Sequence, residues 1–203
     1  MIKQQMVHLH SHYYSHDSVG FARRSIEFAA SQGFTALAMT EHGSLRGAIN
    51  FSNTCEEYGI KPILGNEVYV NIDDKIYHLT LICMNDVGYK NLVKLNNISK
   101  HRGADGGSKK RNRQSNTIEE IIEFNEGIIC LTGCMNSPLQ KLPYDEAKTI
   151  CLRLKRAYGD RLYAEAQFVG ELNHHQRAKD LARDFNLEIV VTTDSHFCSV
   201  ELN

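Results

Sequence analysis

Apolar residues recur along the chain in short runs suited to strands, most of them followed by longer stretches with helical spacing. Strand-like runs fall at 6–10, 36–40, 61–71, 75–84, 127–132, 162–167 and 188–193. Helical spacing predicts helices over 21–32, 45–58, 88–100, 144–158 and 172–185. Punctuation supports this division. Ser18 can cap the first helix, Gly33 and Gly59 stop the first two, and residues 71–74 form a turn between adjacent strands. Thr117 and Glu120 fit a capping box. Between them and the third helix lies 101–117, without apolar periodicity, which predicts a flexible basic loop. No repeat or linker divides residues 1–203, so a single domain is expected. Seven strands, mostly separated by helices, predict an α/β fold with a largely parallel sheet.

Composition narrows the function classes. The 203 residues carry 23 Lys+Arg against 24 Asp+Glu, a net charge of -1, so no global positive field attracts nucleic acid. The span 101–113 is the exception, with five Lys/Arg and one Asp. Lys109, Lys110, Arg111 and Arg113 are candidate phosphate contacts, or else a solvated surface. No run of 18 apolar residues and no secretory leader are present, so a cytoplasmic protein without a membrane partner is expected. Six cysteines without a CxxC pair fit buried thiols in a reducing compartment.

The ten histidines are more informative. His8 and His10 are two apart on a predicted strand, so both face the same side and can reach one metal. Asp17 follows in the next loop, with His12 and His16 as auxiliary donors. His42 closes the second strand. Glu67 lies inside an apolar strand, where a carboxylate needs a partner or a metal. His78 opens another apolar run, Cys134 follows a strand, and Asp194 with His196 repeats the two-residue spacing. Together these exceed the donors of a mononuclear site and suggest a multinuclear centre. Donors at the ends of several strands suit a barrel, and an open doubly wound sheet would also place sites there.

These stretches resemble the PHP (polymerase and histidinol phosphatase) domain. The similarity rests on Val7-His-Leu-His10, Thr40-Glu-His-Gly43, the run at 60–69, His78-Leu-Thr-Leu81, the runs at 88–95 and 127–134, and Thr193-Asp-Ser-His-Phe197. More narrowly, the chain looks like the N-terminal PHP domain of bacterial DNA polymerase III alpha subunits. The resemblance implies a distorted seven-stranded (β/α)7 TIM-like barrel with two or three divalent ions. Zinc is the first choice, with manganese or iron as alternatives. The implied ligands are His8, His10, Asp17, His42, Glu67, His78, Cys134, Asp194 and His196. The Asp17 spacing favours His8 and His10 over a register using His12. Glu41 stands where the family usually has Asp.

The implied activity is phosphoester hydrolysis, as a 3′–5′ exonuclease associated with DNA replication, with Glu67, Asp194 and His196 in catalytic roles. Partners would be a single-stranded DNA 3′ end and other replicase polypeptides. Two alternatives stand beside it: a phosphomonoesterase of the histidinol-phosphatase kind, and a non-catalytic, metal-stabilised module of a replicase. No polymerase carboxylates follow the last motif, so these 203 residues are expected to be a stand-alone protein, a split replicase piece or an excised domain.

Overall fold

The structure is a computed structural model and describes residues 4–11, 21–104, 114–167 and 172–196. Seven strands form one curled sheet in chain order: β1 (Gln4–Met6), β2 (Phe34–Met39), β3 (Lys61–Ile72), β4 (Lys75–Cys83), β5 (Ile128–Leu131), β6 (Leu162–Gln167) and β7 (Ile189–Thr192). β1–β2–β3 and β5–β6–β7 pair in parallel. β4 runs antiparallel to both its neighbours, the exception in an otherwise parallel sheet. The reason is local. Ile72 pairs with Lys75, and the two residues between them, Asp73 and Asp74, have φ of 51° and 61°. Positive φ at both central positions makes the tight turn whose twist matches a hairpin.

Helices cover the outside of the sheet. They are α1 (Ala22–Ser31), α2 (Ala48–Glu57), α3 (Asp86–Ala104), α4 (Ile118–Glu123), α5 (Pro138–Lys141), α6 (Tyr144–Tyr158) and α7 (Leu172–Phe185). The apolar stripe of α1 (Ala22, Ile26, Ala29) joins Leu37, Met39, Phe51 and Cys55 in one core. A larger core gathers Leu92 and Leu95 from α3, Ile121 from α4, Leu154 and Tyr158 from α6, and Leu181 from α7 against β3–β6. Each such aliphatic side chain contributes about 1.5–3 kcal/mol when fully buried. Among the described residues no helix is long and apolar enough to cross a membrane.

The segment expected as a loop over 101–117 is shorter than the sequence pattern suggests. Residues 101–104 continue α3. Arg102 grips Glu120 through both guanidinium nitrogens and donates to the Ser115 carbonyl. Ser115 and Asn116 are buried. Asn116 pairs with β3, its N–H donating to the Tyr69 carbonyl at 2.8 Å, while its amide donates to Leu95 O at 2.9 Å. Polar side chains that satisfy backbone groups go inside without any apolar signal. Thr117 then caps α4 in the expected reciprocal box with Glu120. The basic residues Lys109, Lys110, Arg111 and Arg113 lie outside the described residues.

A candidate metal centre inside the curled sheet

The β3–β4 register sorts polar from apolar side chains. Val68, Val70, Leu79 and Leu81 face the helix-side core. Alternation sends Glu67, Tyr69, His78 and Thr80 to the inner face. Glu67 is opposite Thr80 and His78 opposite Tyr69, so Glu67 and His78 are diagonal neighbours, with His78 Nδ1 3.2 Å from Glu67 Oε1.

His8 and His10 arrive differently than expected. Regular pairing of β1 ends at Met6, and the two histidines follow it in an extended segment. Leu9 holds that segment in place. Its N–H donates to Thr40 Oγ1 at 3.0 Å, and its carbonyl accepts from Thr40 N and Thr40 Oγ1. On the other side Leu9 forms a parallel bridge with Ser195, and His10 N donates to Ser195 O at 2.9 Å. Leu9 enters the smaller core, and the histidines either side of it turn inward. His8 Nε2 then lies 3.1 Å from His10 Nε2.

His42 is fixed by backbone pairing to β3, since Glu67 N donates to Glu41 O and Gly43 N donates to Glu67 O. Its Nδ1 is 2.9 Å from Glu67 Oε2. The ring stacks on Tyr69 at 5.6 Å between centroids. Gly43 permits this: its φ is +50°, and a Cβ there would meet the Tyr69 ring at 3.1 Å. Glu41 is buried and accepts from the Ser11 N–H at 2.9 Å and from the Ser11 hydroxyl, tying the His10 segment to the end of β2. Asp194 adopts the left-handed backbone, φ 49°, which is strained for a residue with a Cβ. Its Oδ1 lies 3.3 Å from His8 Nε2 and 3.2 Å from His10 Nε2. His196 stacks on His10 at 4.5 Å, with its Nδ1 bonded to the Asp194 carbonyl.

Three overlapping groups of donors result: His10, His42 and His196; His8, His10, Glu67 and Asp194; and His42, Glu67 and His78. Glu67 belongs to two of them. Its Oε2 faces His8, His10 and His42, and its Oε1 faces His78. Cys134 borders the third group, with Sγ 3.7 Å from His78 Nδ1 and accepting from Asn136 N. Asp17, His12 and His16 lie outside the described residues.

The charges fit cation binding. Burial alone would raise the Glu67 carboxyl, but His10, His42, His78 and His8 outweigh it and hold it well below the usual carboxylate range. Burial lowers His10, yet Asp194 and Glu67 carry it to about 9. Burial, followed by Glu67, pushes the Cys134 thiol upward. Buried Glu67 Oε2 and Asp194 Oδ1 find no properly aligned hydrogen bond among the described residues, although ring nitrogens surround both. Buried oxygens of this kind suit a divalent cation, and the mix of imidazole and carboxylate is compatible with zinc, manganese or iron.

Two inward residues carry no motif. Glu165 and Gln167, on the inner face of β6, are fully buried. Glu165 Oε1 lies 2.7 Å from His8 Nδ1 and accepts from Thr192 Oγ1 at 2.6 Å. Gln167 Nε2 is 3.4 Å from the same His8 nitrogen. The alternation Leu-Tyr-Ala-Glu-Ala-Gln is the only sequence signal, and it does not distinguish a polar interior from solvent. Among the other described cysteines Cys55, Cys130 and Cys151 are buried and Cys83 partly so, and burial pushes Cys55, Cys83 and Cys151 to about 12.

The fold and sequence both have known counterparts. A DNA polymerase III alpha subunit from Borreliella burgdorferi is 29% identical over 213 residues, covering 96% of this chain and 18% of the relative. The chain thus spans under one fifth of that relative's length. A Bifidobacterium adolescentis protein inferred to be a metal-dependent phosphoesterase superposes with a TM-score of 0.68 at 14% identity, covering 97% of this chain and 88% of that one. Histidinol phosphate phosphatase from Lactococcus lactis, solved with zinc, L-histidinol and phosphate, gives 0.53 at 15% identity, covering 99% and 89%. The PHP domain family profile matches residues 7–168, and the chain belongs to the PHP domain family.

Proposed function

We propose that residues 1–203 form a single metal-dependent phosphoesterase domain acting as a 3′–5′ exonuclease on single-stranded DNA. The observation that carries this reading is the sharing of Glu67 between two donor groups. A carboxylate whose Oε2 faces His8, His10 and His42 and whose Oε1 faces His78 could serve two adjacent cations. His8, His10, His42, Glu67, His78, Asp194 and His196 would hold two or three divalent ions, with Asp17 and Cys134 completing the set. Zinc is the favoured ion, with manganese or iron as alternatives. Ions held there would activate a water and neutralise charge on phosphoryl oxygens. Glu67 and Asp194 orient the ring nitrogens around them. His196, at the more exposed rim, would pass a proton to a departing oxygen.

The Leu9–Ser195 bridge supports reading the curled sheet as the wall of a distorted seven-stranded barrel. The polymerase relatives favour DNA and other replicase polypeptides as cytoplasmic partners. The basic residues Lys109, Lys110, Arg111 and Arg113 would then meet phosphates.

The test is turnover by protein stripped of metal and reloaded with zinc or manganese. A 5′-labelled single-stranded oligonucleotide should shorten from its 3′ end. Efficient release of phosphate from L-histidinol phosphate with the oligonucleotide intact would replace the exonuclease with a phosphomonoesterase. Metal binding without turnover of either would leave a stabilising module.

A further inference from the structure

The donor atoms are only one side of this centre. His8 is fully buried and has two ring nitrogens with separate surroundings. Nε2 faces His10, Asp194 and Glu67, while Nδ1 faces Glu165 Oε1 at 2.7 Å. The geometry points to Glu165 as a positioning residue that fixes His8 with its Nδ1–H directed away from the centre and its Nε2 presented to the metal. This rests on the metal reading above and extends it to a residue outside the donor set.

The chemistry is constrained. A carboxylate oxygen only accepts, and Oε1 already accepts from the Thr192 hydroxyl at 2.6 Å. Its hydrogen bond with His8 therefore requires a proton on Nδ1, which leaves Nε2 as the nitrogen able to ligate. Thr192 is itself buried at the end of β7, and Glu165 N donates to Thr132 Oγ1, just beyond β5, at 2.9 Å, so the carboxylate and the backbone of Glu165 are each held in place. Glu165 Oε2 is buried and has no hydrogen bond among the described residues. Among the described residues no Lys or Arg forms an ion pair with Glu165; its ion-pair partner is His8. A buried carboxylate so placed is compensated chiefly through the imidazole, and a cation on the far nitrogen strengthens that compensation.

The experiment compares wild type, Glu165→Gln and Glu165→Ala. The amide keeps the volume and an acceptor oxygen but loses the charge. Zinc affinity is measured by competition with a chromophoric chelator. The His8 ring is followed by 15N-edited NMR, assigned by its loss in His8→Gln. Wild type should show a downfield, exchange-protected His8 Nδ1–H with and without zinc, and zinc should perturb Nε2. Glu165→Ala should lose that proton signal and bind zinc about 10–100-fold more weakly, with Glu165→Gln between them. An unchanged Nδ1–H in Glu165→Ala, zinc bound through Nδ1, or unchanged zinc affinity in either folded variant would overturn the assignment. If wild type binds none of zinc, manganese and iron, the metal reading fails, and the Nδ1–H comparison in metal-free protein still decides what Glu165 does.

Discussion

Replacing Glu67 with Gln should abolish most of the stabilisation that divalent metal gives the folded protein. Metal that binds only the native state adds about 2.7 kcal/mol when its concentration is 100 times Kd. For a chain of 203 residues, 1 kcal/mol moves Tm by about 2–4 °C, so wild type should gain about 5–10 °C. Glu67 serves two of the three donor groups, and both of its oxygens face imidazoles. The amide retains one weak oxygen donor and no charge. If Kd rises 100-fold, the same metal concentration contributes about 0.4 kcal/mol, a shift of about 1 °C. Thermal melts with zinc and with chelator, on both proteins, give the two differences. Taking the difference cancels the direct cost of losing a buried charge among histidines. Glu57→Gln is the control: Glu57 is exposed on α2, pairs with Arg23 and lies outside the centre, so its variant should keep the full shift. A full metal shift in Glu67→Gln would refute the shared-carboxylate reasoning.

Two further outcomes follow from the same geometry. Glu120→Gln should cost about 1–2 kcal/mol at neutral pH, because the bidentate Arg102 pair and the Thr117 cap lose their charge. Burial raises Glu120, but Arg102 and the Thr117 N–H outweigh it and depress it below 4.5. A depressed carboxyl stabilises above its unfolded value and loses that contribution as pH falls. The difference from wild type should therefore shrink below about pH 4.5 in urea titrations, and a gap that persists at pH 2 would contradict this. Gly43→Ala should cost about 1–2 kcal/mol through its positive φ, and it presses on Tyr69 behind His42, so calorimetric zinc affinity should fall. Unaltered affinity would detach that turn from the centre.

Much of the architecture was legible because period and punctuation agreed. β6 and α7 fall on the residues where alternation and helical spacing place them. The hairpin turn was legible at 71–74, but its consequence, an antiparallel β4 within a parallel sheet, depends on the positive φ of Asp73 and Asp74. The segment 101–117 misled because burial there is polar. Arg102 and Asn116 satisfy carbonyl groups instead of filling an apolar stripe, and no periodicity records that. At the centre, short spacings such as His8 to His10 and Asp194 to His196 marked residues that converge in space. Glu165 escaped notice because its partner, His8, is 157 positions away. The short β1 shows that an extended segment can aim two histidines inward through bonds to Thr40 and Ser195, without a regular ladder.

Anomalous diffraction from crystals grown with zinc or manganese, collected on both sides of the metal edge, tests the central claim most directly. Two or three peaks should lie among His8, His10, His42, Glu67, His78, Asp194 and His196, about 2.0–2.2 Å from nitrogen and oxygen donors if the ion is zinc, with Glu67 contacting two of them. An empty centre at saturating metal, or peaks only on surface residues away from Glu67, would contradict it.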